Sequence, residues 1–275
     1  MPEPAVPHGV VVGIDGTASS LAAVRWAVED ARIHHASLTL VHADEGAGTG
    51  GADTVLAEAT AVAQDAAGID APRVERRLLN GKPVAELVAV SRQAKLMVVG
   101  SRGRTGRLAG SVGVGLLHHA RCPVAVVHED VPTRQGPGRR PVLVGIDGSR
   151  TSLGAAAIAF DEASRRSADL LALHVCKDSE APGDHGLQSS AAAQDAEAFL
   201  RLTLLDLQHR YPEVAVHPLV RFESPARQLL IQSERSQLVV VGSHGRGAVA
   251  GTLLGSVGAA VAQGSRVPVI VARRT

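Results

Sequence analysis

Apolar residues fall along this chain in short unbroken runs, separated by longer stretches with a helical repeat. The runs Val10–Asp15, Leu38–Ala43, Leu96–Gly100 and Val124–His128 are rich in Val and almost wholly apolar, the pattern of parallel strands buried on both faces. Between the first two, Leu21, Val24, Val28 and Ala31 recur on one side of a helix. A weaker strand pattern, Val74–Leu79, precedes a helix opening near Pro83, where proline's missing N–H costs nothing because the first turn has no partner for it. Strand and helix in alternation predict a parallel sheet joined by right-handed crossovers. Ligands of such a sheet bind at the carboxyl ends of its strands, beside the point where the strand order reverses.

The pattern then repeats. VVVGIDGTASS at 10–20 returns as VLVGIDGSRTSL at 142–153, placing Asp15 and Asp147 132 positions apart. Leu153, Ala156, Phe160 and Ala163 repeat the first helical stripe at the same offset. Lys82–Arg104 matches Ser224–Arg246 at an offset of 142, and the strand ends CPVAVV and VPVIVA follow at 145. The chain is one domain written twice, which suits 275 residues, too many for one core of about 100–150. The expected fold is α/β: two tandem flavodoxin-like (Rossmann-like) domains, each an open five-stranded parallel sheet with helices on both faces, at 1–130 and 141–275. A Pro-, Gly- and charge-rich linker at 131–140 joins them. The offset grows by ten residues between the second strand and the fourth, so the second copy has an insertion, which Lys177–Ser189 would place in a surface loop.

Composition narrows the functional classes. Net charge is +1 and aromatic residues are 2%, so the chain has neither the field nor the stacking platforms expected of a nucleic-acid binder. No apolar run reaches a membrane span, and the start has no basic, apolar leader pattern, so no membrane partner and a cytoplasmic location are expected. Cys122 and Cys176 lie in apolar strand patterns without a C-x-x-C partner and read as reduced, buried thiols. The adjacent pairs His34-His35 and His118-His119 point different ways on a helix, so no metal site is expected from them. His42 and His174 end the second strands, as structural partners or as pH-sensitive groups.

The chemistry concentrates at strand ends. In the second copy the strand Leu238–Val241 runs into Gly242-Ser243-His244-Gly245, then nine residues, then Gly255-Ser256-Val257 opening a helix. Glycines let main-chain N–H groups turn toward an anion, and a helix start adds unpaired donors at the positive end of its dipole. Ser256 either caps that helix or offers its hydroxyl to a phosphate. Asp15 and Asp147 either bond local amides in an Asp-Gly turn or meet the ligand, and their place at the proposed pocket favours contact. Thr17 and Ser149 read as helix caps. Arg102 and His244 hold the same place between two glycines, as phosphate contacts or as solvated side chains. No P-loop occurs, no G-x-G-x-x-G follows the first strand, the G-x-S-x-G elbow is missing, and no nucleophile–base constellation is visible, so catalytic residues are not expected.

Val-Gly-Ile-Asp-Gly-Ser near the start of a copy, His174-Val175 at the end of a second strand, and G-x2-G-x9-G-[ST] after a fourth resemble the universal stress protein family, over both halves. The resemblance implies an ATP-binding tandem member, a nucleotide-dependent regulator of stress response or growth state with little or no turnover. Carried over by position, Gly145, Ile146 and Asp147 would sit by the adenine and ribose, Val175 would line the base, and Val241, Gly242, Gly245, Gly255, Ser256 and Val257 would hold ribose and phosphates. A Mg2+ ion beside the phosphates is left open. The first-copy counterparts are Gly13, Ile14, Asp15, Ala43, Gly100, Gly103, Gly110, Ser111 and Val112. Here the pattern breaks: six residues, not nine, separate Gly103 from Gly110, and Ala43 stands where valine is expected. Ser111 and Ser256 both lie twelve residues before a proline, so the loop and not the helix lost three residues. Three extended residues span about 10 Å, comparable to a triphosphate tail, so the first copy should bind nucleotide weakly or not at all. Two alternatives stand beside this reading: a weak ATPase or self-phosphorylating enzyme with Ser256 or Ser243 as acceptor, and a structural module with a vestigial pocket. The fifth strands, Val124–His128 and Val267–Ala272, are expected at sheet edges. The resemblance implies pairing through them, as an intramolecular pseudo-dimer or a homodimer; the regulatory protein partner is not identified.

Overall fold

The computed structural model describes residues 8–46, 49–68, 70–103, 111–129, 140–176, 186–245 and 254–273. The chain separates into two compact units, Met1–Val131 and Pro132–Arg274. The expected linker lies outside the described residues except for Arg140.

The first unit runs β1 (His8–Gly13), α1 (Ala18–Ile33), β2 (Leu38–Asp44), α2 (Thr49–Ala67), β3 (Val74–Asn80), α3 (Pro83–Val90), β4 (Ala94–Gly100), α4 (Ser111–His119), β5 (Val124–Val127). The second repeats it: β6 (Val142–Gly145), α5 (Arg150–Arg166), β7 (Leu170–Cys176), α6 (Gly186–Arg210), β8 (Val216–Phe222), α7 (Pro225–Ser233), β9 (Leu238–Gly242), α8 (Ser256–Gly264), β10 (Val269–Ala272). Each unit holds a five-stranded parallel sheet, in the order β3-β2-β1-β4-β5 and β8-β7-β6-β9-β10, so the fifth strand stands at one end of its own unit's order. Val12 pairs with Leu40 on one side and Val98 on the other, as Val144 pairs with Ala172 and Val240. The chain steps in one direction across β1-β2-β3, then returns to β4 and β5. Right-handed crossovers therefore put α1 and α2 on one face and α3 and α4 on the other, in keeping with the packing of α1 on α2 and of α3 on α4. The order reverses between β1 and β4, and between β6 and β9.

Burial explains why the apolar runs form strands. Val10, Val11 and Val12 are at most 2% exposed, so successive residues, which point to opposite faces, are both covered. The outer strand β8 tolerates Pro218 because its missing donor needs no ladder partner on the open side. In α5, Ala156, Phe160 and Ala163 are fully buried, with Phe160 against Tyr211 at 5.8 Å between ring centroids; burying such a ring contributes about 1.5–3 kcal/mol. Val28 holds the same place in α1.

Two expectations change. Leu153, read as part of the buried stripe, is 43% exposed, because it lies at the rim of the face that α5 turns inward, where Thr151 and Ser152 of the same turn are buried. The second-copy insertion is not wholly a loop: 186–189 are helical, and α6 has 25 residues where α2 has 19. Residues 177–185 lie outside the described residues.

Candidate functional site

At the reversal point of the second unit, the carboxyl ends of β6, β7 and β9 surround a cleft of about 470 Å³. The second-copy residues that the resemblance implies as nucleotide contacts all line it: Gly145, Ile146, Asp147, Val175, Val241, Gly242, Gly245, Gly255, Ser256 and Val257. They come from stretches about 100 positions apart, and parallel pairing of β6 with β9 brings them together.

The floor is apolar. Ile146, Leu173 and Val241 come from strand ends, and Leu229 and Pro225 lean in from the start of α7. At one wall β7 outruns β6. The Ile146 N–H bonds the Leu173 carbonyl at 2.8 Å, the last rung between these strands. In a parallel ladder alternate residues face the same neighbour, so Val175, two further on, turns its N–H and C=O toward the side where β6 has ended and the cleft begins. The opposite wall is the start of α8. Its N-cap is Gly255, with φ −75° and ψ 153° and no side-chain cap, so the first N–H groups of the helix have no partner within it and carry the positive end of its dipole. Ser256 is the first helical residue and exposed; of the two roles considered for it, capping is ruled out by position.

Between these walls stands the Asp-Gly turn. Gly148 has φ +80°, and its first-unit counterpart Gly16 +79°, a left-handed conformation that strains any residue with a side chain. Asp147 Oδ1 accepts the Ser149 N–H at 2.9 Å, which is the local turn bond. Its other oxygen faces the glycine loop: a Cβ added to Gly245 would lie 2.8 Å from Asp147 Oδ2. One oxygen thus makes the local turn bond, and the other lies toward Gly245. Ser149 caps α5 by accepting from the Ser152 N–H at 3.2 Å, and Thr17 caps α1 in the same way, as expected. Gly242 serves the framework, because a Cβ there would lie 2.8 Å from Thr151 Oγ1 and 2.9 Å from the Ser152 nitrogen.

Sequence reasoning missed Pro225, Leu229, Leu173, Ser152, Leu254 and Gly258, and left His244 undecided; all line the cleft. Pro225 and Leu229 had a signal, since Pro83 and Leu87 recur at their places in the first copy. His174 donates from Nδ1 to the Ile146 carbonyl at 2.7 Å, because a carbonyl can only accept, and its ring lies 4.9 Å from that of Phe199. His42 makes the same 2.7 Å bond to Ile14. Both histidines are structural partners of the turn.

In the first unit Gly13, Ile14, Asp15, Ala43 and Gly100 take equivalent places at the ends of β1, β2 and β4. A Cβ at Gly100 would lie 2.6 Å from Ser19 Oγ, so this glycine too is demanded by packing. Gly103 is the last described residue before the loop, and Gly110 lies outside the described residues. Ser111 opens α4, followed by half-buried Val112. Helices α4 and α8 both start at the aligned serine and both have nine residues, so the missing three belong to the loop. Thr17 donates to Asp15 Oδ1 at 2.6 Å, and Asp15 Oδ1 also accepts the Thr17 N–H at 3.1 Å. Among the described residues no helix is long and apolar enough to cross a membrane.

The universal stress protein family model matches residues 8–128 and again 138–273. A universal stress protein of Mycobacterium tuberculosis is 45% identical over 302 residues, covering 100% of both chains. The crystal structure of a universal stress protein from Archaeoglobus fulgidus superposes with a TM-score of 0.72 at 23% identity, covering 98% of this chain and 99% of that one, which shows the shared fold. A universal stress protein in complex with cAMP matches 44% of this chain and 97% of its own at 35% identity, with a TM-score of 0.38.

Proposed function

This chain belongs to the universal stress protein family, with the family's domain present twice, and we propose that its second domain binds ATP and that the protein acts as a nucleotide-dependent regulator of stress response or growth state. The observation that carries the reading is the cleft itself. One side offers an apolar slot, the other a helix start with partnerless N–H groups, and glycines stand where a side chain would intrude.

Adenine suits the slot better than guanine. Along Val175 an N–H donor stands beside a C=O acceptor, matching the N1 acceptor and the N6 amino donor of adenine; guanine presents the reverse pair. Asp147 would meet the ribose, and the starts of α8 and of the glycine loop would meet the phosphates. Asp147 is the carboxylate lining the cleft, so an accompanying Mg2+ would be held chiefly by phosphate oxygens and water. Binding with little or no turnover is part of the same proposal.

Calorimetric titration of the full-length protein tests this. ATP should bind in preference to GTP, with one site per chain because the first domain's loop is short. Absence of ATP binding eliminates the proposal, and two equal tight sites eliminate the distinction between domains. One observation favours a second reading, self-phosphorylation: Ser256 is exposed in the cleft, whereas Ser243 is 1% exposed and a poor acceptor. Mass analysis after incubation with ATP and magnesium would show a phosphate on Ser256 if that reading holds. A cytoplasmic location, and association as a homodimer or pseudo-dimer, belong to the same proposal, and light scattering counts the chains.

A further inference from the structure

The turn leaving β9 is held from behind by the first turn of α5. The Thr151 hydroxyl, on a side chain 7% exposed, donates to the main-chain carbonyl of His244 at 2.5 Å. The Ser149 hydroxyl gives the same oxygen a longer bond, at 3.2 Å. The neighbouring carbonyl, Ser243, accepts the Gly255 N–H at 2.7 Å. Both carbonyls of this dipeptide are therefore engaged by donors within the protein. A peptide has a negative end and a positive end, and a carbonyl turned toward a polyphosphate would repel it, so engaging the carbonyls favours the polarity an anion needs.

The first domain wires the same position the other way. Ser19, the counterpart of Thr151, accepts the Arg102 N–H at 3.1 Å, which uses up a loop donor. The Arg102 carbonyl lies 3.4 Å from the Thr17 hydroxyl, whose proton goes to Asp15 at 2.6 Å. One hydroxyl position thus takes an acceptor in one domain and a donor in the other. Thr151 does not itself line the cleft; it reaches His244 because Gly242 lets α5 approach β9 closely.

We infer that Thr151 is a positioning residue for phosphate recognition in the second domain: its bond to the His244 carbonyl sets which end of that peptide the ligand meets. The inference rests on the nucleotide reading of the cleft. It is tested in the full-length protein by displacing a fluorescent ATP analogue with ATP and with adenosine, for the wild type, Thr151→Val and Thr151→Ser. Thr151→Val should weaken ATP about tenfold, the size expected for losing one well-made hydrogen bond that organises a charged contact. Adenosine, which lacks the phosphates, should bind the variant as tightly as it binds the wild type, and Thr151→Ser should restore ATP binding. Should Thr151→Val fail to fold, Thr151→Ala removes the same donor with less bulk and carries the same expectation. Equal weakening of ATP and adenosine, or undiminished ATP binding by the variant, overturns the inference while leaving nucleotide binding intact. A wild type that binds no ATP overturns both.

Discussion

At the carboxyl ends of β1 and β6 the two domains build the same Asp-Gly turn, followed by the same capping hydroxyl, yet the hydrogen bonds run to different partners. In the first domain the cap turns inward, Thr17 donating to Asp15 at 2.6 Å. In the second, Ser149 reaches across to the loop and donates to the His244 carbonyl at 3.2 Å. The surroundings diverge in step. Four residues, 45–48, separate β2 from α2, against nine, 177–185, between β7 and α6. In the tighter arrangement a Cβ at Gly16 would lie 3.1 Å from Val55 of α2. Ala43 replaces Val175, and the glycine loop is three residues shorter. The bodies of the domains keep their registers while the ligand-facing ends differ, which is where a duplicated domain can lose or change a binding role without losing its core.

The comparison can be broken at its shared part first. Gly100→Val and Gly242→Val should each destabilise their own domain by about 2–3 kcal/mol, because a Cβ there meets the backbone of α1 or α5. Urea unfolding at the wild-type midpoint in either variant would remove the packing account of these glycines. The next effect should separate the domains. Gly245→Val places a side chain against Asp147 Oδ2 and should weaken ATP at least about tenfold, near 1.4 kcal/mol, without moving the melting temperature, whereas Gly103→Val should leave ATP binding as it is. Equal losses in the two variants would mean that the first domain binds too. The smallest effect sharpens the contrast between caps. Thr17→Ala and Ser149→Ala should each cost about 1 kcal/mol of stability, and only Ser149→Ala should weaken ATP as well. A matching loss of ATP affinity in Thr17→Ala would contradict the assigned difference in wiring.

Much of this arrangement was legible in the amino-acid order, for a physical reason. Parallel strands buried on both faces are unbroken apolar runs, and a ligand of such a sheet must sit where those runs end. The motif residues Gly145–Asp147, Gly242–Gly245 and Gly255–Val257 therefore converge wherever β6 and β9 are neighbours. What stayed hidden came from side chains whose direction depends on helix placement. Leu229 and Pro225 reach the cleft only because α7 starts two residues after β8 and crosses over the strand ends. Leu153 fits the helical stripe by spacing, but it lies at the rim of the buried face, and Thr151 and Ser152 take the inward positions of that turn. Spacing alone also left Ser256 between cap and ligand contact, and only the backbone of Gly255 decides that the glycine is the cap. The destination of a hydroxyl proton, on which the Thr151 inference depends, has no counterpart in any sequence pattern.

The bond from His174 to the Ile146 carbonyl gives the second domain a latch between the ends of β6 and β7. His42 offers the same latch to the other domain through Ile14. Each aspartate turn is thus tied to the neighbouring strand by a side chain as well as by the sheet's own ladder.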